Sequence, residues 1–269
     1  MDALVVWLTA ADLPLLFVAA FTTLLATCEA GFHTGRSRAR RRALTSSETS
    51  AVSTLTTAML SLLAFTLGLT ISFAQTRFET RRDDVVKEAN AIGTAWLRAQ
   101  LAADPAREPL APVIADYARV RADYAATSDH EQEARLLART NALQERIWQQ
   151  TTIIAHAAPT VISAQLITAV NEMFDTALAQ LFALESQVPV RLMLMAGSML
   201  SIGALSMLSF GALGYQFGLS GVRQIVLTGL LLLMWSGSVV LIVDFSEPRH
   251  GELQANPLPL QWTVQGMKS

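Results

Sequence analysis

Four stretches of this chain are apolar over roughly 20 residues each, enough for a helix to cross a bilayer hydrocarbon core of about 30 Å. They cover about residues 4–28, 51–74, 192–213 and 224–243. Hydrocarbon offers no partner to a backbone N–H or C=O, so each spanning segment must pair its own groups. The expected fold class is therefore all-α, with four transmembrane helices. Asp12 and Pro14 interrupt only the start of the first stretch. No Lys or Arg precedes Trp7, which argues against a signal peptide. Leu25-Ala26-Thr27-Cys28 bears a faint likeness to a lipoprotein cleavage box, but without a basic leader Cys28 reads as a small buried helix residue.

Charge is scarce and unevenly placed. Asp, Glu, Lys and Arg make up 16% of the chain, and 26 of these 42 residues lie within 77–185. A soluble domain carries about a quarter, so the flanking thirds are depleted of charge. The net charge of −2 leaves no basic surface for nucleic acid. The lone cysteine excludes an intrachain disulfide and a Cys-based zinc site. The chain divides into residues 1–75 (two spans and a short Arg-rich loop), 76–190 (a polar helical domain), 191–245 (two more spans) and a tail, 246–269.

Orientation is read from the loop between the first two spans. Arg36, Arg38, Arg40, Arg41 and Arg42 sit there, with no acidic residue between Gly31 and Ser47. Short Arg-rich loops stay in the cytoplasm. The N-terminus, the 76–190 domain and the tail are thereby expected on the periplasmic side of a bacterial inner membrane. Arg77, Arg81, Arg82 and Lys87 oppose this, offset by Glu79, Asp83, Asp84 and Glu88.

The domain between the second and third spans reads as a helical bundle. No proline interrupts residues 49–103, so the second span should continue as helix past the membrane. Beyond it, Val85, Ala89, Ile92, Trp96 and Ala99 repeat at helical spacing. Pro105, Pro109 and Pro112 mark a turn. A helix is expected over 113–126. Thr127-Ser128-Asp129 caps the next, with Leu136, Leu143 and Ile147 inward. Pro159 opens a fourth, with Ile162, Leu166, Ala169, Met173, Ala177, Leu181 and Leu184 inward. Residues 147–171 lack full charge, but Gln149, Gln150, His156 and Gln165 with Pro159 argue against a fifth span.

Catalytic signatures are missing from the sequence. His33, His130, His156 and His250 show no metal-ligand spacing. Neither a nucleophile elbow nor a phosphate loop is present. No enzyme activity, cofactor or metal is expected.

The second span carries the strongest functional signal. At 100° per residue, Thr57, Ser61, Ala64, Gly68, Ser72, Gln75, Glu79 and Arg82 share an arc of about 80°, and Ser50 and Thr54 extend it backwards. Leu55, Leu62, Phe65, Leu69 and Phe73 form the adjoining face. Small residues let helices pack closely in lipid. Copies of such a face can equally surround a water-filled path for small ions, with Gln75, Glu79 and Arg82 at its mouth. Either way the stripe needs something other than lipid against it, so a homo-oligomer is expected. A channel and a non-conducting, membrane-anchored sensor or scaffold both remain open. Gly197, Ser201, Gly211, Gly229, Ser236 and Gly237 in the last two spans read as packing positions, and Glu29 and Asp244 as carboxylates meeting water at span ends.

Three segments resemble a known family. Glu29, Gly31, Gly35 and Arg36 match a Glu-x-Gly-x-x-x-Gly-Arg motif after the first span. Phe78 to Arg82 followed by Glu88 to Thr94 is similar to the segment after its second span, including Arg81, Glu88 and Asn90. Asp244, Pro248, Arg249 and Gly251 resemble its closing Asp-x-x-x-Pro-Arg-x-Gly turn. Together they look like the bestrophin-like bacterial multi-pass membrane proteins, a family of unknown function. The resemblance to bestrophins proper implies a pentamer, anion conduction, and a second helix lining a pore with a bulky neck. Here Ala64 and Gly68 stand where that bulk is expected. The resemblance also implies a cytosolic large domain and termini, opposite to the arginine count.

Overall fold

A computed structural model of the chain describes residues 13–42, 45–102, 109–127, 129–185, 189–246 and 256–267. Among these the regular structure is entirely helical. The helices are α1 (Leu13–Arg41), α2 (Ser46–Leu101), α3 (Leu110–Ala126), α4 (His130–Ala157), α5 (Val161–Glu185), α6 (Pro189–Ser220), α7 (Ile225–Ser246) and α8 (Leu258–Gly266). Contacts divide the chain into two units, Met1–Arg77 with Gln187–Leu253, and Phe78–Ser186 with Gln254–Ser269.

Four helices are long and apolar enough to cross a membrane: Leu13–Arg41, Ser46–Leu101, Leu200–Ser220 within α6, and Ile225–Phe245 within α7. They identify a membrane protein. The core of the first unit joins Leu24 and Cys28 of α1, Leu63 of α2, Phe210 and Leu213 of α6, and Leu232 and Trp235 of α7. Two polar side-chain pairs lie in this unit, as hydrocarbon burial favours, while the buried Ser236 hydroxyl has no partner among the described residues. The Trp235 indole donates to the Ser206 hydroxyl at 3.0 Å, and the Gln216 amide to Ser53 at 3.1 Å. Outside, Leu55, Phe65, Leu227 and Met234 are largely exposed, as acyl chains allow.

The first helix corrects one expectation. Arg36, Arg38, Arg40 and Arg41 do not lie in a loop; they form the last turns of α1. Arginine is a good helix former, and cations suit a helix C-terminus. The chain then restarts quickly. Thr45 and Glu48 make a reciprocal capping box: Thr45 N–H donates to Glu48 Oε2 at 2.9 Å, and Glu48 N–H to Thr45 Oγ1 at 3.2 Å. The beginning of the first expected span, residues 4–12, lies outside the described residues.

In the second unit most of the residues expected to face inward form one buried cluster, although Leu136 and Leu181 are only partly buried and the Leu184 side chain lies outside the described residues. Val85, Ala89, Ile92 and Ala99 of α2 are buried, with Trp96 packed against them. They meet Ile114 and Tyr117 of α3, Leu143 and Ile147 of α4, and Leu166, Ala169, Met173 and Ala177 of α5. Asp129 caps α4, accepting from Glu131 N–H at 3.1 Å. The start of α5 differs from expectation. Ile162 is exposed, and Ser163 turns inward instead, donating to the Ala158 carbonyl at 2.7 Å. Residues 246–269, which the sequence leaves as a tail, contain α8, and its Leu260 is buried in this same core.

Candidate functional site

Helix α2 shows two sides in the first unit. Thr56, Leu63 and Ala74 are buried against its own unit. Thr57, Ser61, Ala64, Gly68, Ser72 and Gln75 are all exposed, on the arc turned away from that core. A Cβ added at Gly68 would meet nothing within 4 Å. On the stretch of α2 in the second unit, Glu79 and Arg82 are exposed as well.

The hydroxyls sharpen the contrast. Thr66 and Thr70, off the arc, satisfy theirs inside the helix, each donating to the carbonyl four residues earlier at 2.8–2.9 Å, and Thr54 at the start of the arc does the same at 3.0 Å. Thr57, Ser61 and Ser72 make no side-chain hydrogen bond among the described residues. A buried hydroxyl without a partner costs free energy in an apolar medium. Thr57, Ser61 and Ser72 are exposed, so water or polar groups from outside the chain can reach their hydroxyls.

The Glu29–Arg36 motif has a separate geometry, an α1–α6 seam. Gly31 lies so close to α6 that a Cβ there would overlap the Gly211 carbonyl, and one at Gly35 would overlap that of Tyr215. In return, Gly214 and Gly218 rest on the carbonyls of Cys28 and Phe32. The flanking charged residues tie the same corner. Gly221 ends α6 with φ +69°, the left-handed conformation that glycine tolerates best. Its carbonyl accepts from Arg36 at 3.5 Å. Arg223 just beyond donates to Glu29 at 3.0 Å and lies 4.2 Å over the Phe32 ring. His33 also approaches Glu29, at 3.8 Å.

Glu88 belongs to a third arrangement that the sequence reading only half identifies. Its carboxylate is fully buried and takes a two-pronged contact from Arg121 of α3, one prong at 3.2 Å. Arg121 also donates to Gln180 of α5 and lies 4.9 Å from the Tyr124 ring centre. Burial pushes the Glu88 carboxyl up, against the smaller downward pull of Arg121. Burial draws Arg121 down, but Glu88 more than restores it, so the guanidinium stays charged. Burial likewise raises the Tyr117 phenol far above its ordinary range, and its oxygen accepts from Gln144 at 3.2 Å.

These candidates do not converge on one centre. Asn90 is exposed and Arg81 is partly buried, both on α2. Asp244 is buried, 5% exposed, rather than open to water at a span end. Pro248, Arg249 and Gly251 lie outside the described residues. Arg121, Gln180 and Arg223 were missed by the sequence reading. For Arg121 a signal existed: it stands at helical spacing between Tyr117 and Tyr124 on the inward face of α3. No group of three or more His, Cys, Asp or Glu among the described residues is placed to hold a metal.

A family model described as the Bestrophin-like domain matches residues 19–260. No curated protein and no solved structure matches the chain. The chain belongs to the bestrophin-like family.

Proposed function

We propose that this member of the bestrophin-like family assembles as a homo-oligomeric channel for small ions, with the exposed arc of α2 facing a shared axis. The observation that carries the reading is the exposed row of Thr57, Ser61 and Ser72, whose hydroxyls find no partner among the described residues. Ala64 and Gly68 between them keep the surface narrow and smooth. Water along an axis satisfies those hydroxyls, and they in turn offer ligands to a passing ion. A pentamer is the count that the family resemblance suggests. The 76–190 domain is read as an insertion between the second and third spans.

The second reading is a non-conducting sensor or scaffold in which the same arc is a seam between copies. The glycine seam between α1 and α6 favours it, because this chain demonstrably uses small residues for close packing. Ser61→Leu and Gly68→Leu separate the two. In liposomes, a channel keeps its assembled size and loses or changes ion flux; a packing seam loses assembly. Wild-type protein that passes no common anion or cation would sink the channel reading.

For orientation, the arginines at the end of α1 support a cytoplasmic location for that corner of a bacterial inner membrane. The N-terminus and the 76–190 domain then lie in the periplasm. A cysteine at the exposed Ala138 should react with an impermeant thiol reagent added to intact cells. Reaction only after lysis would reverse the topology.

A further inference from the structure

We infer that the corner where α1 meets the α6–α7 turn is a binding site for a phosphate group, and that its occupant is the headgroup of an anionic phospholipid. A cleft of about 650 Å³ opens there, lined chiefly by Phe32, His33, Arg36, Ser37, Arg40 and Arg223. Three guanidiniums line it against one nearby carboxylate, Glu29, which is engaged by Arg223. Among the described residues Arg36 reaches only the Gly221 carbonyl, at 3.5 Å. Arg40 meets no carboxylate among the described residues. Two cationic forks thus line the cleft with no carboxylate partner among the described residues. Arginine's planar donors match phosphate oxygens two at a time, and Ser37 adds a hydroxyl. The stacking of Arg223 over the Phe32 ring orients a third fork.

The surroundings choose between a lipid and a free phosphate. Val222, Ile225, Val226 and Leu227 flank Arg223, and each is more than half exposed. The cleft also lies where the α6 span ends at Ser220 and the α7 span begins at Ile225. That is headgroup depth, with apolar surface beside the cations for an acyl chain. A soluble phosphate has no use for that surface.

The test uses the full chain in detergent, with thermal stability and native mass spectrometry as readouts. Phosphatidylglycerol should raise the melting temperature by several degrees and be retained on the protein. Phosphatidylcholine and millimolar inorganic phosphate should do neither. Arg36→Gln with Arg40→Gln should weaken phosphatidylglycerol binding roughly tenfold, as expected for lost charge-assisted bonds. Arg38→Gln with Arg41→Gln removes the same charge from the same helix outside the cleft and should leave binding intact. If the first pair does not fold, Arg40→Gln alone should show a smaller loss in the same direction. Equal protection by inorganic phosphate would overturn the lipid assignment. Equal effects from the two arginine pairs would overturn the site itself.

Discussion

Arg121 sits at 1% exposure among Tyr117, Tyr124, Glu88 and Gln180, in the centre of the second unit. A guanidinium is tolerated there because its charge and donors are met; removing one partner strands the other charge. Glu88→Ala should therefore destabilise the protein by about 3–5 kcal/mol. Replacing both, Glu88→Leu with Arg121→Met, should recover much of that loss, because apolar groups of similar volume carry no desolvation cost. Denaturant unfolding of these two variants beside the wild type measures both. The Glu88 half of this pair came from the family motif. Its partner was hidden because a lone arginine on a helix usually reads as solvated, and only its helical spacing to two tyrosines hinted otherwise. By contrast, Asp129 could be read directly, since a cap needs only local chemistry. Asp129→Ala should cost about 1 kcal/mol in the same assay.

Glycines separate what helices reveal locally from what they reveal only when packed. Gly197, Gly211, Gly229 and Gly237 look alike in the sequence, each a small residue in an apolar span. In the fold only Gly211 of these four takes part in the α1–α6 contact; a Cβ at any of the other three meets nothing within 4 Å. Hydropathy locates a span but does not show which of its faces meets a neighbour. The helices themselves were legible because length, apolarity and proline placement are local. The end of α1 was not, because its last turns are polar and stand as helix alongside α6. Gly214→Ala should force α1 and α6 apart and cost about 1–3 kcal/mol of thermal stability. Gly237→Ala should be neutral or stabilise by up to about 1 kcal/mol, since it relieves only a mid-helix glycine. Melting curves in one detergent compare the pair directly.

For the molecule as a whole, the decisive quantity is what touches α2 from outside. Its exposed side divides into Ser61, Gly68 and Ser72 on one arc and Leu62, Phe65 and Phe73 on the next. The two arcs cover the same depth, so depth cannot explain a difference in their access to water. Wild-type Cys28 is buried at 6% exposure and should give little background. Single cysteines at Ser61, Gly68 and Ser72 should thus react with a charged, impermeant thiol reagent in proteoliposomes, and the reaction should lower ion flux. Cysteines at Phe65 and Phe73 should resist it, because a charged reagent does not enter hydrocarbon or a tight apolar interface. Reactivity would then follow the helical repeat. A dry seam predicts protection at all five positions, and a stripe set into lipid predicts no helical pattern, so either result removes the axis from α2.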